Sequence, residues 1–315
     1  MFREAGAISQ TAVAKASARP GRHSREKPHA NRGREERGQH ALLAVFAHPD
    51  DESLACGGLL AWCAAVGVRV SLLCVTCGED GSTHATAPPS GTPTFGNVRD
   101  IRGRELRDAA GVLGITDDEV TILDHADGML PWIDVGRLVA DIQAVIRRTA
   151  PDVVITFGED GLYWHPDHIA VHERTTAAVE TLDDDVPALY YVTIPTGAMR
   201  AVVDHAAEVT AERSPDATPP HAILGVADAD AFGALAATPT LVIETGMFAA
   251  QKLRALSCHR SQFRDCALAL VADGDAPRLI GTEHYRRADT GAQGDTFLER
   301  FAAPFRSVRT RPMRP

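Results

Sequence analysis

Ala41-Leu42-Leu43-Ala44-Val45-Phe46-Ala47 is an unbroken apolar run. It is too short to cross a bilayer and shows no polar alternation, which is the pattern of a strand buried on both faces. Comparable runs recur at Val68–Val75, Val120–Leu123, Val153–Phe157, Leu189–Ile194 and Thr240–Glu244. Segments with helical spacing separate most of them: Ser53–Val66, Val98–Leu113 (stopped by Gly114), Val135–Arg148 (capped by Asp134), His165–Thr181 and, after the last run, Met247–Leu256. Fully buried strands alternating with helices demand a layer of helices on each face of a parallel sheet. The expected fold class is therefore α/β, with a Rossmann-like open, mostly parallel sheet, helices on both faces and a C-terminal insertion or cap region.

The organisation follows from where this pattern stops. Residues 1–40 carry nine Lys and Arg side chains among few large apolar ones, so they read as a disordered basic extension that cannot build a core. A nucleic-acid or targeting role is the weaker reading of that arm. Residues 41–304 read as one domain and 305–315 as a basic tail. Within the domain, the Gly-, Ser-, Thr- and Pro-rich stretch 78–97 is expected to be a long loop. The Ala-, Asp- and Pro-rich stretch 204–239 is expected to be an insertion or cap. The net charge of −10 disfavours a general nucleic-acid binder, and no apolar run is long enough for membrane insertion. Six cysteines without a disulfide-domain spacing fit free thiols in a reducing cytoplasm.

Two polar clusters follow strands. His48-Pro49-Asp50-Asp51-Glu52 comes directly after the first apolar run, and Tyr163-Trp164-His165-Pro166-Asp167-His168 comes after the fourth. In an open parallel sheet, ligands bind outside the carboxyl ends of strands where the strand order reverses. Both clusters can therefore face one crevice. Three adjacent carboxylates repel one another unless a cation sits among them. His48, Asp51 and His168 form a two-His, one-carboxylate set suited to a catalytic Zn²⁺, with Asp50 free to act as a base. Fe²⁺ is the alternative metal, because the same set also serves ferrous oxygenases. Asp50, Asp51 and Ser53 would otherwise be helix caps, and His172, one turn beyond His168, reads as a packed helix histidine.

The Ala47–Glu52 motif followed by Gly57-Gly58, together with His165-Pro166-Asp167-His168, resembles the LmbE-like or PIG-L-like zinc-dependent de-N-acetylases over roughly residues 41–300. The resemblance implies zinc ligands at His48, Asp51 and His168 and a general base at Asp50. It implies that His165, read as an imidazolium, stabilises the reaction intermediate or protonates the leaving amine, with Tyr163 polarising the amide carbonyl. Arg102 and Asp127 match substrate-contacting positions, and Lys252, His259 and Gln262 match a late pattern from which His259 is carried as a substrate-binding candidate. Glu52 is expected to orient His48. The implied activity is hydrolytic removal of an N-acyl group, in the first place N-acetyl, from an amino sugar or glycoside. An amidase acting on thiol-glycoside conjugates of the mycothiol type and a non-catalytic sugar-binding protein are the alternatives. The expected partner is a small N-acyl amino-sugar molecule, and a homo-oligomer is compatible with the resemblance.

Overall fold

A computed structural model describes residues 39–81, 95–263 and 265–302. Except for Gln39 and His40, the expected basic extension lies outside the described residues. So do the basic tail 305–315 and most of the loop 78–97. Among the described residues, seven strands form one sheet in the order β3-β2-β1-β4-β5-β7-β6. The strands are β1 Ala41–Phe46, β2 Arg69–Thr76, β3 Val120–His125, β4 Val153–Phe157, β5 Ala188–Thr193, β6 Leu241–Glu244 and β7 Thr282–Gly291. The first five pair in parallel, while β7 runs antiparallel to β5 and β6 antiparallel to β7. β1 is flanked by β2 and β4, so the order reverses between β1 and β4, where the two polar clusters leave the sheet.

Helices α1 (Asp51–Ala65), α2 (Phe95–Leu113), α3 (Val135–Thr149) and α4 (Pro166–Glu180) match the expected positions within a few residues. Asp134 caps α3, accepting from the Arg137 backbone N–H at 2.9 Å. The stretch 204–239, expected as an insertion or cap, opens inside helix α5 (Ala198–Arg213). Its Ala-rich sequence favours helix, and Met199, Val202, Val203 and Ala206 form one buried face. Irregular chain starts only after it. The strand β7 was missed altogether: it buries Glu283, Tyr285 and Ala288 between polar neighbours, so it lacks the continuous apolar signature of the parallel strands.

The seating of α1 matters for the site, because this helix begins at Asp51. α1 breaks at Cys56, which has φ −148° and ψ 20°. The helix restarts beyond the break, and Glu283 of β7 caps the new start: its carboxylate accepts the N–H of Gly58 and of Leu59, each at 2.9 Å. Lys252, on helix α6 (Ala249–Cys258), balances this buried carboxylate at 2.7 Å. Gly58 is required for the close approach, since a Cβ there would lie 2.7 Å from the Thr245 Cβ.

Candidate active site

The loop leaving β1 turns sharply at Asp50, a non-glycine residue at φ 113°. Such a backbone costs on the order of 1–3 kcal/mol and persists only where its surroundings hold it. Two groups do so. Glu52 accepts the Asp50 backbone N–H at 3.0 Å, and Arg102 of α2 donates to the Pro49 carbonyl at 2.7 Å and to the Asp50 carboxylate at 3.2 Å. The second loop, after β4, is also bent out of ordinary conformations: Leu162 and Trp164 both have φ 67°. It ends at His165, which caps α4 by accepting the Asp167 N–H on its Nδ1 at 3.2 Å.

Three donor atoms converge between these loops. His48 Nδ1 lies 3.1 Å from His168 Nε2, while one Asp51 oxygen (Oδ2) lies 3.4 Å from His48 Nδ1 and the other (Oδ1) 3.2 Å from His168 Nε2. The hydrogen bonds behind them fix which nitrogen of each ring carries a proton. His168 Nδ1 donates to the Gly161 carbonyl at 3.0 Å, leaving Nε2 as a lone pair. His48 Nε2 faces Asp127 at 3.0 Å and Asp167 at 3.2 Å, so its proton goes there and Nδ1 is left as a lone pair. With His48 neutral, two lone pairs and a carboxylate point at one another; either a proton on His48 Nδ1 or a cation must sit among them. A metal ion would take the place of that proton. A tetrahedral zinc with ligands at about 2.0–2.1 Å spaces its donor atoms about 3.3–3.4 Å apart, and the two imidazole nitrogens and the Asp51 carboxylate group lie at comparable separations. Phe157 stacks on the His168 ring at 4.0 Å and fixes its plane.

His48, Asp127 and Asp167 also bring donor atoms within 4.8 Å of one another, as do His48, His165 and His168. The first group is already occupied with hydrogen bonds. Asp167 accepts the N–H of Gly128 at 2.8 Å and of Leu130 at 3.1 Å, and Asp127 accepts that of Asp80 at 2.9 Å. It supports the outer nitrogen of His48.

The electrostatics follow from burial and these partners. Burial alone would lower the His48 pKa, but the Asp127, Asp167 and Asp51 carboxylates overcome it and raise it well above 6.5. That negative potential would equally draw a metal ion. Asp51 is held well below the usual carboxylate range because His168 and His48 outweigh its burial. Burial pushes Asp50 up to about 7, with Arg102 pulling it down and Asp51 pushing it further up; a dication beside Asp51 would act in the same sense as Arg102. His165 is pushed down to about 4, first by burial and then by the neighbouring imidazoles His168 and His48. Burial keeps the Tyr163 phenol protonated by raising its pKa.

His48, Asp50, Asp51, Tyr163, His165 and His168 therefore come together, as do Arg102 and Asp127. Five of the expected residues have partners that the sequence alone did not indicate. His259 is not in the crevice: it is fully buried beneath it, with Nε2 2.8 Å from Glu52. Glu52 does not orient His48; its oxygens hold the Asp50 N–H and face His259 and the Ser53 hydroxyl. The Asp127 carboxylate meets His48 and the Asp80 N–H, and the Arg102 guanidinium holds the Asp50 loop and the Gly78 carbonyl while its buried Nε has no hydrogen-bond partner among the described residues. Finally, His165 Nδ1 accepts the Asp167 N–H, which leaves its Nε2 as the donor facing the crevice side of the ring. Asp167 is the functional residue that sequence reasoning overlooked. Its signal was its place between Pro166 and His168, where it had been taken only as part of the motif. His172 donates to the Phe157 carbonyl at 3.0 Å and packs in the core.

Phe232, from the irregular chain after α5, packs on Tyr163 with ring centroids 4.8 Å apart. This chain therefore reaches the crevice.

The model of the PIG-L family, described as GlcNAc-PI de-N-acetylase, matches residues 43–179, which include both loops. The chain is similar to the 1D-myo-inositol 2-acetamido-2-deoxy-alpha-D-glucopyranoside deacetylase of Acidothermus cellulolyticus, with 33% identity covering 78% of this chain and 87% of that protein. A deacetylase of the same description from Saccharopolyspora erythraea is 31% identical, covering 80% of this chain and 91% of its own. Among solved structures, the N,N'-diacetylchitobiose deacetylase of Pyrococcus horikoshii superposes with a TM-score of 0.54 at 18% identity, covering 80% of this chain and 85% of that one. The 4-carboxy-2-hydroxymuconate hydratase of Pseudomonas putida superposes with a TM-score of 0.55 at 17% identity, covering 82% of this chain and 100% of that one. One architecture thus carries more than one chemistry, and these two likenesses speak for the fold alone.

Proposed function

The chain belongs to the PIG-L family of de-N-acetylases, and from that premise we propose that it is a zinc-dependent hydrolase that removes the N-acetyl group of a 2-acetamido-2-deoxyglucoside. An inositol glycoside is the first candidate, because that is the substrate named for the relatives from Acidothermus and Saccharopolyspora. The observation that carries the reading is the convergence of His48 Nδ1, His168 Nε2 and the Asp51 carboxylate beside Asp50.

His48, Asp51 and His168 would hold the metal, which when bound polarises the acetamide carbonyl and makes water a stronger acid. Asp50, with a pKa near 7, accepts the proton of the attacking water. A C–O bond forms at the acetyl carbon, the C–N bond breaks, and the proton taken by Asp50 passes to the amine nitrogen. The neutral Nε2–H of His165 and the phenol of Tyr163 donate to the oxygen on which negative charge develops. Arg102 keeps the Asp50 carboxylate in place, which limits the search the base must make before each proton transfer. Tyr163 carries a contact to the chain after α5 through Phe232, so this segment is positioned to bear on which glycoside is accepted.

The test is acetate release by the zinc-loaded protein from the inositol 2-acetamido-2-deoxyglucoside and from free N-acetylglucosamine. Metal-dependent release supports the reading. A protein that binds zinc at these three residues and releases no acetate from either compound would defeat it.

A further inference from the structure

A second cavity, of about 260 Å³, opens at the same edge of the sheet on the α1 side. Its apolar walls come from Leu54 of α1, Ile194 after β5, Met199 of α5 and Ile280, and Lys252, the exposed Arg278, Thr193, Thr282, Glu283 and His284 also line it. It shares no residue with the proposed catalytic machinery.

Lys252 is what marks the cavity as a site. It is 4% exposed, and an ammonium has three N–H donors. Among the described residues its one hydrogen-bond partner is Glu283, at 2.7 Å. Glu283 is saturated: besides Lys252 it accepts from the backbone of Gly58 and Leu59 and from the Tyr285 hydroxyl at 2.8 Å. The charge with unused bonding capacity in this wall is therefore positive. Arg278 adds a second positive charge, and its nearest acidic partner, Asp275, is 3.7 Å away. Ammonium protons without acceptors are unfavourable in a protein interior. The polar side-chain atoms of the wall lie on Lys252, Arg278, Thr193, Thr282, Glu283 and His284, and the Thr193 hydroxyl is likewise without a partner among the described residues, while the remaining wall is apolar and unsuited to water. A molecule with an anionic head and an aliphatic tail satisfies both demands. A buried apolar cavity of about 150 Å³ holds a benzene ring, so this one has room for about ten non-hydrogen atoms.

We propose that this cavity is a binding site for a small aliphatic monocarboxylate of about ten heavy atoms, its carboxylate on Lys252 and its chain against Leu54, Ile194, Met199 and Ile280. The site is independent of the hydrolytic reaction.

Isothermal titration and thermal shift with sodium octanoate on the full chain test this directly. Octanoate should bind with a stoichiometry of one per chain and raise Tm, whereas octylamine, equally long but cationic, should do neither. Affinity should rise along the series from acetate to octanoate and stop rising beyond octanoate, because the cavity is then full. Ala198→Trp, at the partly exposed start of α5, fills the cavity mouth and should abolish binding while acetate release from the glycoside is unchanged. Absence of binding, equal binding of octylamine, or an affinity independent of chain length overturns the proposal. So does octanoate binding to a folded Ala198→Trp protein as it does to the wild type.

Discussion

Asp167→Asn changes almost no volume and tests whether the support behind His48 governs the metal. Asp167 is fully buried, and its carboxylate faces His48 Nε2 at 3.2 Å while accepting the N–H groups of Gly128 and Leu130. An amide keeps one acceptor oxygen and replaces the other by a donor. Either way it loses a backbone bond in the 128–130 turn. With its nitrogen facing Leu130, the first choice, it does only that; with its nitrogen facing Gly128, the second, it also turns N–H groups toward His48 Nε2. The second choice favours the wrong imidazole tautomer, placing the proton on Nδ1 where the metal should be. Removing such an outer partner typically lowers metal affinity about 10- to 100-fold, equivalent to about 1.4–2.7 kcal/mol. One unsatisfied buried backbone donor costs a further ~1–3 kcal/mol of stability. Zinc competition against a chromogenic chelator measures the first quantity, and urea unfolding of the metal-free protein measures the second. At saturating zinc, acetate release should return to within about tenfold of wild type, since Asp167 is placed outside the reaction itself. A variant with wild-type zinc affinity but activity lost at every zinc concentration would refute this account and move Asp167 into the chemistry. Asp127→Asn should behave likewise, but with a smaller loss of stability, because Asp127 holds one backbone N–H, that of Asp80.

Asp50→Ala should lower acetate release about 10²- to 10⁴-fold, the usual range for a general base, while zinc content by atomic absorption stays at one per chain; undiminished turnover would remove Asp50 from its role. His259→Gln should reduce kcat more than KM and leave zinc content unchanged, because His259 acts through Glu52 on the strained Asp50 backbone. A pH dependence follows from the same pair. Burial lowers the His259 pKa but Glu52 outweighs it, so the folded value lies above the 6.5 of a free histidine. The pair's contribution to stability is therefore complete below about pH 6.5 and is lost as pH rises through the raised pKa. The Tm difference between wild type and His259→Gln should shrink toward alkaline pH, and a difference that widens there contradicts the assignment. Two helical glycines should respond oppositely to alanine. Gly111→Ala in α2 meets nothing within 4 Å and should gain up to about 1 kcal/mol of helix propensity, whereas Gly58→Ala drives a Cβ into Thr245 and should lower Tm; the same sign in both would show that contact is unimportant.

Periodicity alone was enough for the parallel half of the sheet, because strands buried on both faces cannot carry polar residues without breaking the run. The runs at β1, β2, β4 and β5 were legible for that reason. The two loop clusters were legible too, since His48, Asp50, Asp51, Tyr163, His165 and His168 each lie just past the carboxyl end of a strand, and the family resemblance supplied their expected roles. β7 was not legible. Its buried face carries Glu283, and a lone carboxylate in a core makes sense only when Lys252 and the freed N–H groups of α1 stand opposite. The roles of Glu52, Asp127, Asp167 and His259 were hidden for a related reason. Each is a polar side chain whose function depends on what its oxygen or nitrogen touches across a large sequence gap. Glu52 meets His259 across 207 positions, and Asp167 meets His48 across 119. Sequence determines which residue types reach the crevice, because the strand pattern sets where the chain emerges. Tertiary structure decides which of them face a ligand and which orient those that do, because hydrogen-bond geometry is directional and is fixed only when distant segments are packed together.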